Sequence, residues 1–333
     1  MTDTGKTVAV CIVTHNSAAD LPRCLESVGR LEYRPLEVVL VDCASRDNSS
    51  AVARQQAPYG LDVELVALDR NLGFAGGMNV ALQATNAPWV LTLNPDAFPD
   101  PEFVSRLVEC VETHPELPIG AVTGRLLRPA GDGPRHIDAC GMYLTPTWRH
   151  LDRGSGAEDR GQWSSPERVF GATAAASLLS REALEDVAVE GEFFAAEFHT
   201  YREDAELCFR LRERDWEVIY EPRAICDHRR SNLPDRRHTM SREVNYHSLK
   251  NRYLLRAYHQ YPANLLLTLL PTIWRDLLAF AYVIAAERSS LAAYSWLWNH
   301  RRSIRHRRRL LASRRTAKAQ EINRWFRQRS LPL

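Results

Sequence analysis

Apolar residues between Val8 and about His114 fall into short continuous runs, separated by segments in which apolar positions recur with helical spacing. Such short apolar runs are typical of strands buried on both faces. The predicted strands are Val8–Thr14, Leu36–Val41, Val63–Leu68 and Trp89–Leu93. The intervening helices are predicted to begin at Ser17, at Asp47–Ser49, at about Gly76 and at Asp100–Glu102. Alternating strands and helices predict an α/β fold with a mostly parallel sheet covered on both faces.

Polar residues follow three of these strands at the point where each strand ends. They are Thr14-His15-Asn16, Asp42–Ser45 and Asn94-Pro95-Asp96. Because right-handed crossovers bring the carboxyl ends of parallel strands to one edge, these segments should line one ligand crevice. We predict that Asp96 holds a divalent cation there and, through it, a nucleotide diphosphate. The alternative is that Asp96 merely caps its own loop, as Asp often does in turns.

A glycine-rich turn, Asp69–Asn79, joins the same edge. Its glycines allow a ligand to approach the backbone, and the following helix N-terminus favours an anion. The turn has neither the Gly-Lys-Ser/Thr ending of a Walker loop nor a GxGxxG pattern. A kinase and a Rossmann dehydrogenase are therefore disfavoured.

The regular alternation ends after Ile119–Gly124, and Pro129–Arg168 is predicted to form loops with short strands. Further strands are predicted at Ala174–Leu179, after the turn Phe170-Gly171-Ala172, and at Trp216–Tyr220 and Ala224–Cys226.

Three carboxylates, Glu203, Asp204 and Glu206, open a predicted helix that runs to about Arg214. They can complement the helix dipole, but an aromatic cluster before them indicates that at least one faces a cavity. His228 follows the last predicted strand beside Asp227. It is either an ordinary structural histidine or a second metal ligand that acts with Asp96.

The segments Thr14-His15-Asn16, Val41–Ser45, Asn71–Asn79 and Asn94-Pro95-Asp96 together resemble the family 2 glycosyltransferases of the GT-A fold. They are especially similar to the bacterial rhamnosyltransferase-like branch. The run Glu203–Arg210 is similar to the acceptor-site motif of that family, and the resemblance spans roughly residues 7 to 257.

The resemblance implies a role for each matching residue. Asp42 would hydrogen-bond the pyrimidine base, and Asp204 would be the catalytic base, with Glu203 the next choice and Glu206 a helix-stabilising residue. Asp96 would be the metal-binding carboxylate of the DxD-type motif, with Asn94 standing where that motif begins with Asp, and His228 would complete the metal site. The other expected nucleotide-sugar contacts are Thr14, Asn16, Ser45, Asn71, Gly73, Asn79 and Asn94.

The predicted function is an inverting glycosyltransferase that depends on Mg²⁺ or Mn²⁺ and acts on a glycan or polyprenyl-linked acceptor in cell-envelope polysaccharide synthesis. Similarity favours dTDP-rhamnose as donor, with a UDP-hexose or UDP-galactofuranose as alternatives. A nucleotidyltransferase would need a Gly-x-Gly-x-Arg signature after the first strand, which is absent from the sequence. An inactive membrane-bound nucleotide-sugar sensor is a further alternative, but retention of Asp42, Asp96 and Asp204 argues against it.

The formal net charge of +2 conceals a strong asymmetry. Residues 287–333 contain thirteen Lys/Arg and two Asp/Glu, a local charge of +11, so the first 286 residues carry 2 − 11 = −9. The basic segment His300–Arg309 follows the apolar helix Leu265–Ala286, which is interrupted by Pro271, Arg275 and Asp276. This arrangement predicts attachment to an anionic membrane surface, with nucleic acid or a solvated helix on the protein body as alternatives.

We accordingly predict a glycosyltransferase domain at 1–257, with a nucleotide-sugar half at 1–125 and an acceptor half at 126–257. A helical, basic, membrane-associating tail would span 258–333. Seven cysteines without a CxxC pair indicate no disulfide framework, and Met1–Lys6 shows no signal-peptide pattern. A cytoplasmic protein attached to the inner face of the membrane is expected.

Overall fold

A computed structural model describes residues 6–55, 60–129, 133–230 and 241–333. Most of the strands belong to one sheet in the order β13-β10-β12-β6-β11-β4-β1-β2-β3, while β5 pairs with β12, β7 pairs with β6, and β8 and β9 form a separate hairpin. The strands are β1 Val8–Thr14, β2 Leu36–Cys43, β3 Val63–Leu68, β4 Trp89–Leu93, β5 Ala97–Pro99, β6 Ile119–Arg128, β7 His136–Ala139, β8 Met142–Leu144, β9 His150–Asp152, β10 Glu167–Val169, β11 Ala176–Ser180, β12 Glu217–His228 and β13 Ser330–Pro332.

The helices of the described residues cover both faces of this sheet and form the C-terminal part of the chain. They are α1 Leu21–Gly29, α2 Ser49–Arg54, α3 Gly73–Gln83, α4 Phe103–Glu112, α5 Arg181–Val187, α6 Glu203–Glu213, α7 Arg242–His259, α8 Pro262–Ala286, α9 Ala292–Asn299, α10 Arg301–Arg314 and α11 Ala319–Arg324.

Strand β1 lies at the centre of the core, and its alternate side chains enter different clusters. Val8, Val10 and Ile12 pack with α1 and α4 on one face, whereas Ala9 and Cys11 pack with α3, α5 and α6 on the other. Strands β4, β1, β2 and β3 are all mutually parallel along this part of the sheet. The predicted α/β class, with a sheet covered on both faces, is therefore confirmed.

Strand β11 lies antiparallel between β4 and β6. A third cluster packs α6 and α7 against the C-terminal helices, with Phe209, Leu254, Ile304, Leu311 and Trp325 at its centre. Strand β13 adds to the far edge of the sheet through β10. The division at residue 257 remains a prediction, although residues beyond 257 share a core with the residues before it.

Several predicted boundaries were wrong for local physical reasons. The first helix begins at Leu21 rather than Ser17, because the Ser17 carbonyl closes a turn with the Asp20 amide and the Ser17 amide donates to Ser49 Oγ. Helix α3 begins at Gly73 rather than about Gly76. The two strands predicted around Pro222 are one strand, β12, with a register shift between Glu221 and Ile225 that accommodates the proline.

All seven cysteines are buried and free, in agreement with the predicted absence of a disulfide framework. The sequence-based expectation about a signal peptide concerns Met1–Lys6, of which residues 1–5 lie outside the described part of the chain.

Candidate functional site

The loops after β1 and β2 are joined by a set of short hydrogen bonds. Asp42 is buried, and its Oδ1 accepts from the Ser45 amide at 3.1 Å. The Ser45 hydroxyl accepts from the Asn16 amide at 2.9 Å, and Asn16 Oδ1 accepts from the Arg46 amide at 2.7 Å. The Thr14 hydroxyl is buried and has no hydrogen-bond partner among the described residues. Thr14, Asn16, Asp42 and Ser45 therefore lie together at one edge, as predicted from the strand ends.

The glycine-rich turn is fixed at its beginning by Asn71, whose Oδ1 accepts from the Gly73 amide at 2.8 Å. Gly73 has φ +69°, and a Cβ added there would lie 2.4 Å from the His199 carbonyl oxygen. That same carbonyl accepts from the Ala75 amide at 3.0 Å. The turn is therefore packed tightly against the loop that precedes α6, which explains the glycine at this position.

Asn79 acts on the protein backbone. Its Nδ2 donates to the Phe194 carbonyl at 2.7 Å, and its Oδ1 accepts from the Phe193 and Phe194 amides at 3.1 and 2.8 Å. Both ends of the Asn79 amide are therefore used by the backbone of residues 193–194, so its observed contacts are structural, and its role beside a nucleotide sugar remains a prediction. The sequence motif alone did not reveal this contact.

The predicted metal ligands meet on the neighbouring strands. Asp96 lies between β4 and β5, and its Oδ1 is 3.3 Å from His228 Nε2 at the end of β12. The other ring nitrogen, Nδ1, lies 2.8 Å from Asp138 Oδ2 on β7. Burial alone would lower the pKa of His228, but the hydrogen bonds to Asp138 and Asp96 outweigh it and raise the pKa to about 9.

This donor set fits a divalent cation. Asp96 offers carboxylate oxygen, and His228 offers Nε2 once a metal displaces the proton on that nitrogen, while Asp138 orients the ring through the opposite nitrogen. Metal-binding histidines usually have such a carboxylate behind them. Asn94 lies at the end of β4, where its amide donates to the Ala175 carbonyl at 2.8 Å, so its backbone is fixed beside Asp96.

A chain of ion pairs continues from the metal ligands toward α6. Asp138 accepts from Arg230 Nη1 at 3.1 Å, and the same nitrogen donates to Asp152 on β9 at 2.7 Å. The charge of Asp152 in turn acts on Asp204. The carboxylates of Asp96, Asp138 and Asp152 are therefore brought together around His228 and Arg230, and the charge of Asp152 acts on Asp204 at the start of α6.

The two candidate bases differ in their proton affinity. Burial, followed by the charge of Asp152, raises the pKa of Asp204 to about 6, against the effect of backbone amides and Arg230. Burial and the adjacent Asp204 raise the pKa of Glu203 much further, well above the ordinary value for Glu. One Glu203 oxygen is also buried without a hydrogen-bond partner in the described residues. Asp204 is thus the carboxylate that ionises near neutral pH.

Other charged residues near the motifs have protein partners. Glu206 pairs with Arg210 at 2.8 Å within α6, the helix-stabilising contact expected for it. Arg229 pairs with Asp20 at 2.5 Å, and Arg252 pairs with Asp276 on α8 at 2.8 Å. Arg230, by contrast, lies within the carboxylate cluster formed with Asp138 and Asp152.

Asp138 and Asp152 were missed by the sequence interpretation. Both lie in the Gly- and Pro-rich segment that was assigned to loops, and their partners are 90 and 78 residues away in the chain. The sequence contains one signal for Asp138, because it is the single carboxylate in the otherwise apolar run Ile137–Cys140. A charge buried in such a run requires a partner.

The sheet as a whole is mixed, but β4, β1, β2 and β3 run parallel and polar residues follow three of these strands. Together with a candidate Asp/His metal site and a candidate base, this is the arrangement expected of a nucleotide-sugar-dependent transferase of the GT-A type. The family profile described as "Glycosyl transferase family 2" matches residues 9–187. The chain belongs to this family, and the glycosyltransferase class predicted from the sequence is confirmed at that level.

Curated relatives match over part of their own length. The chain is 25% identical over 222 residues to a poly-beta-1,6-N-acetyl-D-glucosamine synthase of Staphylococcus epidermidis, covering 66% of this chain and 49% of the relative. It is 36% identical over 106 residues to an undecaprenyl-phosphate 4-deoxy-4-formamido-L-arabinose transferase of Pseudomonas paraeruginosa, covering 31% of each chain. The chain thus spans half or less of these relatives.

Solved structures share the fold at low sequence identity. A mannosyltransferase from Pyrobaculum calidifontis in complex with GDP-Man and Mn²⁺ has a TM-score of 0.52 at 17% identity and covers 98% of this chain and 91% of that chain. S. aureus TarS 1–349 in complex with UDP-GlcNAc has a TM-score of 0.52 at 16% identity, covering 77% and 68%. The GT-A-type fold is therefore confirmed.

Proposed function

We propose that this chain is an inverting, metal-dependent glycosyltransferase that moves a sugar from a nucleotide diphosphate to an acceptor hydroxyl. One observation carries the proposal: ion pairs link Asp96, His228, Asp138, Arg230 and Asp152 in an unbroken series, and the charge of Asp152 acts on Asp204. Diphosphate binding and proton removal, the two requirements of this reaction, would then be met within one group of side chains.

The donor end is assigned to the edge formed by β1, β2 and α3. Asp42 would bind the pyrimidine base, with Thr14 offering a buried hydroxyl that has no partner in the described residues. Resemblance to the rhamnosyltransferase-like branch favours dTDP-rhamnose. A UDP-hexose or UDP-galactofuranose is the alternative, and the UDP-GlcNAc bound by TarS supports a uridine nucleotide equally well.

In the proposed reaction, Asp204 accepts the proton of the acceptor hydroxyl as that oxygen attacks the anomeric carbon from the face opposite the nucleotide. The bond between the anomeric carbon and the diphosphate oxygen breaks, and its electron pair leaves with the diphosphate. A Mg²⁺ or Mn²⁺ ion on Asp96 and His228 would supply Lewis acidity for the departing diphosphate. Arg230 places positive charge between Asp138 and Asp152, the two carboxylates to which its Nη1 donates.

We also infer that α8 attaches the protein to an anionic membrane surface, where a glycan or polyprenyl-linked acceptor of cell-envelope polysaccharide synthesis would be available. Helix α8 is long and apolar enough to span a bilayer, and little of its apolar stretch is buried in the protein. Its polar residues contact the protein: Asp276 pairs with Arg252 and Arg256, and Thr268 accepts from Trp148 Nε1 at 3.0 Å. This two-sided pattern supports a helix that lies on a membrane surface.

The deciding experiment incubates the purified protein with Mn²⁺ and a panel of dTDP-, UDP- and GDP-sugars, and measures nucleotide release. Turnover of one donor that is lost in Asp204→Asn would support the transferase. Donor binding without turnover, unchanged by Asp204→Asn, would instead indicate a nucleotide-sugar sensor that has lost activity.

A further inference from the structure

A second group of potential metal ligands lies between α7 and the loop before α6. It consists of His199, Glu243 and His247, here called the His199 cluster. The ligand atoms of all three lie within 4.8 Å of one another. His199 Nε2 is 3.9 Å from a Glu243 carboxylate oxygen, and the two imidazole rings are stacked at 4.7 Å between centroids. Glu243 and His247 are four residues apart on α7, so they project from the same helix face.

One ring nitrogen of the cluster has no protein partner: His247 Nδ1 is buried and makes no hydrogen bond to any described residue. A buried nitrogen of this kind can serve as a metal ligand. The ammonium group of Lys250 donates to the Glu197 carbonyl and lies 4.7 Å from the centre of the Trp296 ring. Its charge acts on both imidazoles, so the three ligands must outweigh its repulsion of a cation.

The loop that carries His199 adopts an unfavourable backbone conformation. His199 has φ 62° and ψ −66°, and Tyr201 and Arg202 have φ 68° and 74°. Such positive φ values persist only where surrounding structure holds them. The His199 carbonyl is fixed by the Ala75 amide, and Asn251 on α7 donates to the Phe198, Thr200 and Tyr201 carbonyls at 2.8, 2.8 and 2.7 Å. A metal held by the His199 cluster would add a second link between this loop and α7.

We propose that the His199 cluster is a zinc site that joins α7 to the loop preceding Glu203 and Asp204. Two imidazole nitrogens and one carboxylate oxygen form a three-ligand set whose fourth position is open to water. Zn²⁺ suits imidazole better than Mg²⁺ does, so the cluster would be distinct in metal preference from the Asp96 site. The ligand atoms must approach to about 3.4 Å of one another for bonds of about 2.0–2.2 Å. Rotation of Glu243, whose side chain is 71% exposed, supplies part of that movement. The two imidazoles, whose planes are inclined by only 17°, must also turn, because their lone pairs lie in the ring planes and have to converge on one ion.

The experiment titrates the metal-free full chain with Zn²⁺ by calorimetry and with Co²⁺ by visible absorption, which reports four- or five-coordinate cobalt directly. The test variants are Glu243→Gln and His247→Gln. The matched control is His306→Gln, which removes another His/Glu pair, His306 and Glu190 at 3.3 Å on the surface. A second control, Asp96→Asn, removes the other candidate metal site.

Wild type, His306→Gln and Asp96→Asn should bind Zn²⁺ equally well at the cluster and show the cobalt bands. Glu243→Gln and His247→Gln should weaken Zn²⁺ by more than the roughly 10–100-fold that loss of an outer-shell partner costs. Zn²⁺ should also raise the Tm of wild type but not of Glu243→Gln, a surface change that leaves the core intact. The proposal is overturned if wild type gives no cobalt bands, or if Glu243→Gln and His247→Gln bind Zn²⁺ as wild type does.

Discussion

At the scale of single residues, burial separates the roles of two adjacent carboxyl groups. Glu203 and Asp204 follow one another at the start of α6; the pKa of Glu203 is raised well above its ordinary value and that of Asp204 to about 6. Both shifts disfavour the charged form, and a pKa of about 6 leaves Asp204 ionised at neutral pH, as a general base must be. From the sequence, only family resemblance favoured Asp204 over Glu203 as the base. The environments of the two carboxyl groups add a physical reason for that preference.

This difference predicts the pH dependence of sugar transfer. Because Asp204 must be ionised to act, kcat/KM should fall about tenfold per pH unit below about pH 6 and level off above it. Asp204→Asn should lower the rate by roughly 10²–10⁴-fold. Glu203→Gln, which replaces a neutral acid with a neutral amide, should retain much more activity. Nucleotide release measured from pH 5 to 8 tests this, and a flat profile would refute Asp204 as the base.

A second prediction at this scale concerns Asp138, the buried carboxylate behind His228. Asp138→Asn removes the charge that orients the ring through Nδ1 at 2.8 Å. Loss of such an outer-shell partner typically weakens metal affinity by about 10–100-fold. The measurement is the Mn²⁺ concentration that half-saturates activity, which should rise by this factor.

The control for this prediction is Asp186→Asn. Asp186 is also a paired carboxylate, with Arg214 at 2.7 Å, but it lies on α5 away from the candidate site. Its Mn²⁺ requirement should be unchanged. Equal Mn²⁺ dependence in Asp138→Asn and wild type would show that His228 does not need Asp138 to bind metal.

At the scale of secondary-structure elements, the turn that begins α3 is held by packing against the loop before α6. In Gly73→Ala, the side chain meets the His199 carbonyl at 2.4 Å and also forces a non-glycine residue to φ +69°. The backbone conformation alone costs about 1–3 kcal/mol, and the clash adds to it. In urea unfolding, Gly73→Ala should therefore lower the free energy of unfolding by more than the unfavourable backbone conformation alone would.

Gly60 offers a matched comparison, because it has φ +62° and an added Cβ would meet nothing within 4 Å in the described structure. Gly60→Ala should incur the conformational cost without the clash. The difference between the two variants then measures the packing of the glycine turn on His199. Equal losses in the free energy of unfolding would mean that the loop before α6 moves easily to accommodate the added methyl group. That loop would then not fix the glycine-rich turn.

Elements with continuous apolar runs were predictable because burial on both faces leaves a clear signal. Strands β1, β3 and β4 have the predicted bounds. Strand β12 was divided in two because Pro222 resembles a strand end, yet a register shift carries the strand past it. The short strands β7 and β9 gave no periodic signal, so Asp138 and Asp152 were missed. The strand-end residues of the site were found, but the partners that orient them depend on long-range pairing.

At the scale of the whole molecule, the C-terminal helices are both packed on the protein and exposed to solvent. Arg307 is buried and pairs with Glu192 at 2.7 Å, while Arg302, Arg305 and Arg309 on the same helix are exposed. On α8, Leu266 and Leu270 are 84% and 77% exposed. An apolar helix face combined with an exposed basic stripe fits an anionic lipid surface better than it fits water.

The membrane proposal predicts a large effect of two substitutions on that apolar face. Each leucine withdrawn from lipid costs about 1.5–3 kcal/mol, so Leu266→Asp with Leu270→Asp should weaken vesicle binding by roughly 100-fold or more. Because both side chains project into solvent, the free energy of unfolding without vesicles should change little. Co-sedimentation with phosphatidylglycerol-containing vesicles measures the binding.

The basic stripe should act through charge and therefore differently from the apolar face. Arg302→Gln, Arg305→Gln and Arg309→Gln together should weaken binding to anionic vesicles, by about 1 kcal/mol per charge, and leave weak binding to zwitterionic vesicles unchanged. Added salt should reduce wild-type binding to the level of this variant, since it screens charge but not apolar contact.

If the leucine variant binds vesicles as wild type does, the exposed face of α8 must instead bind another protein surface. The acceptor would then have to reach Asp204 from solution.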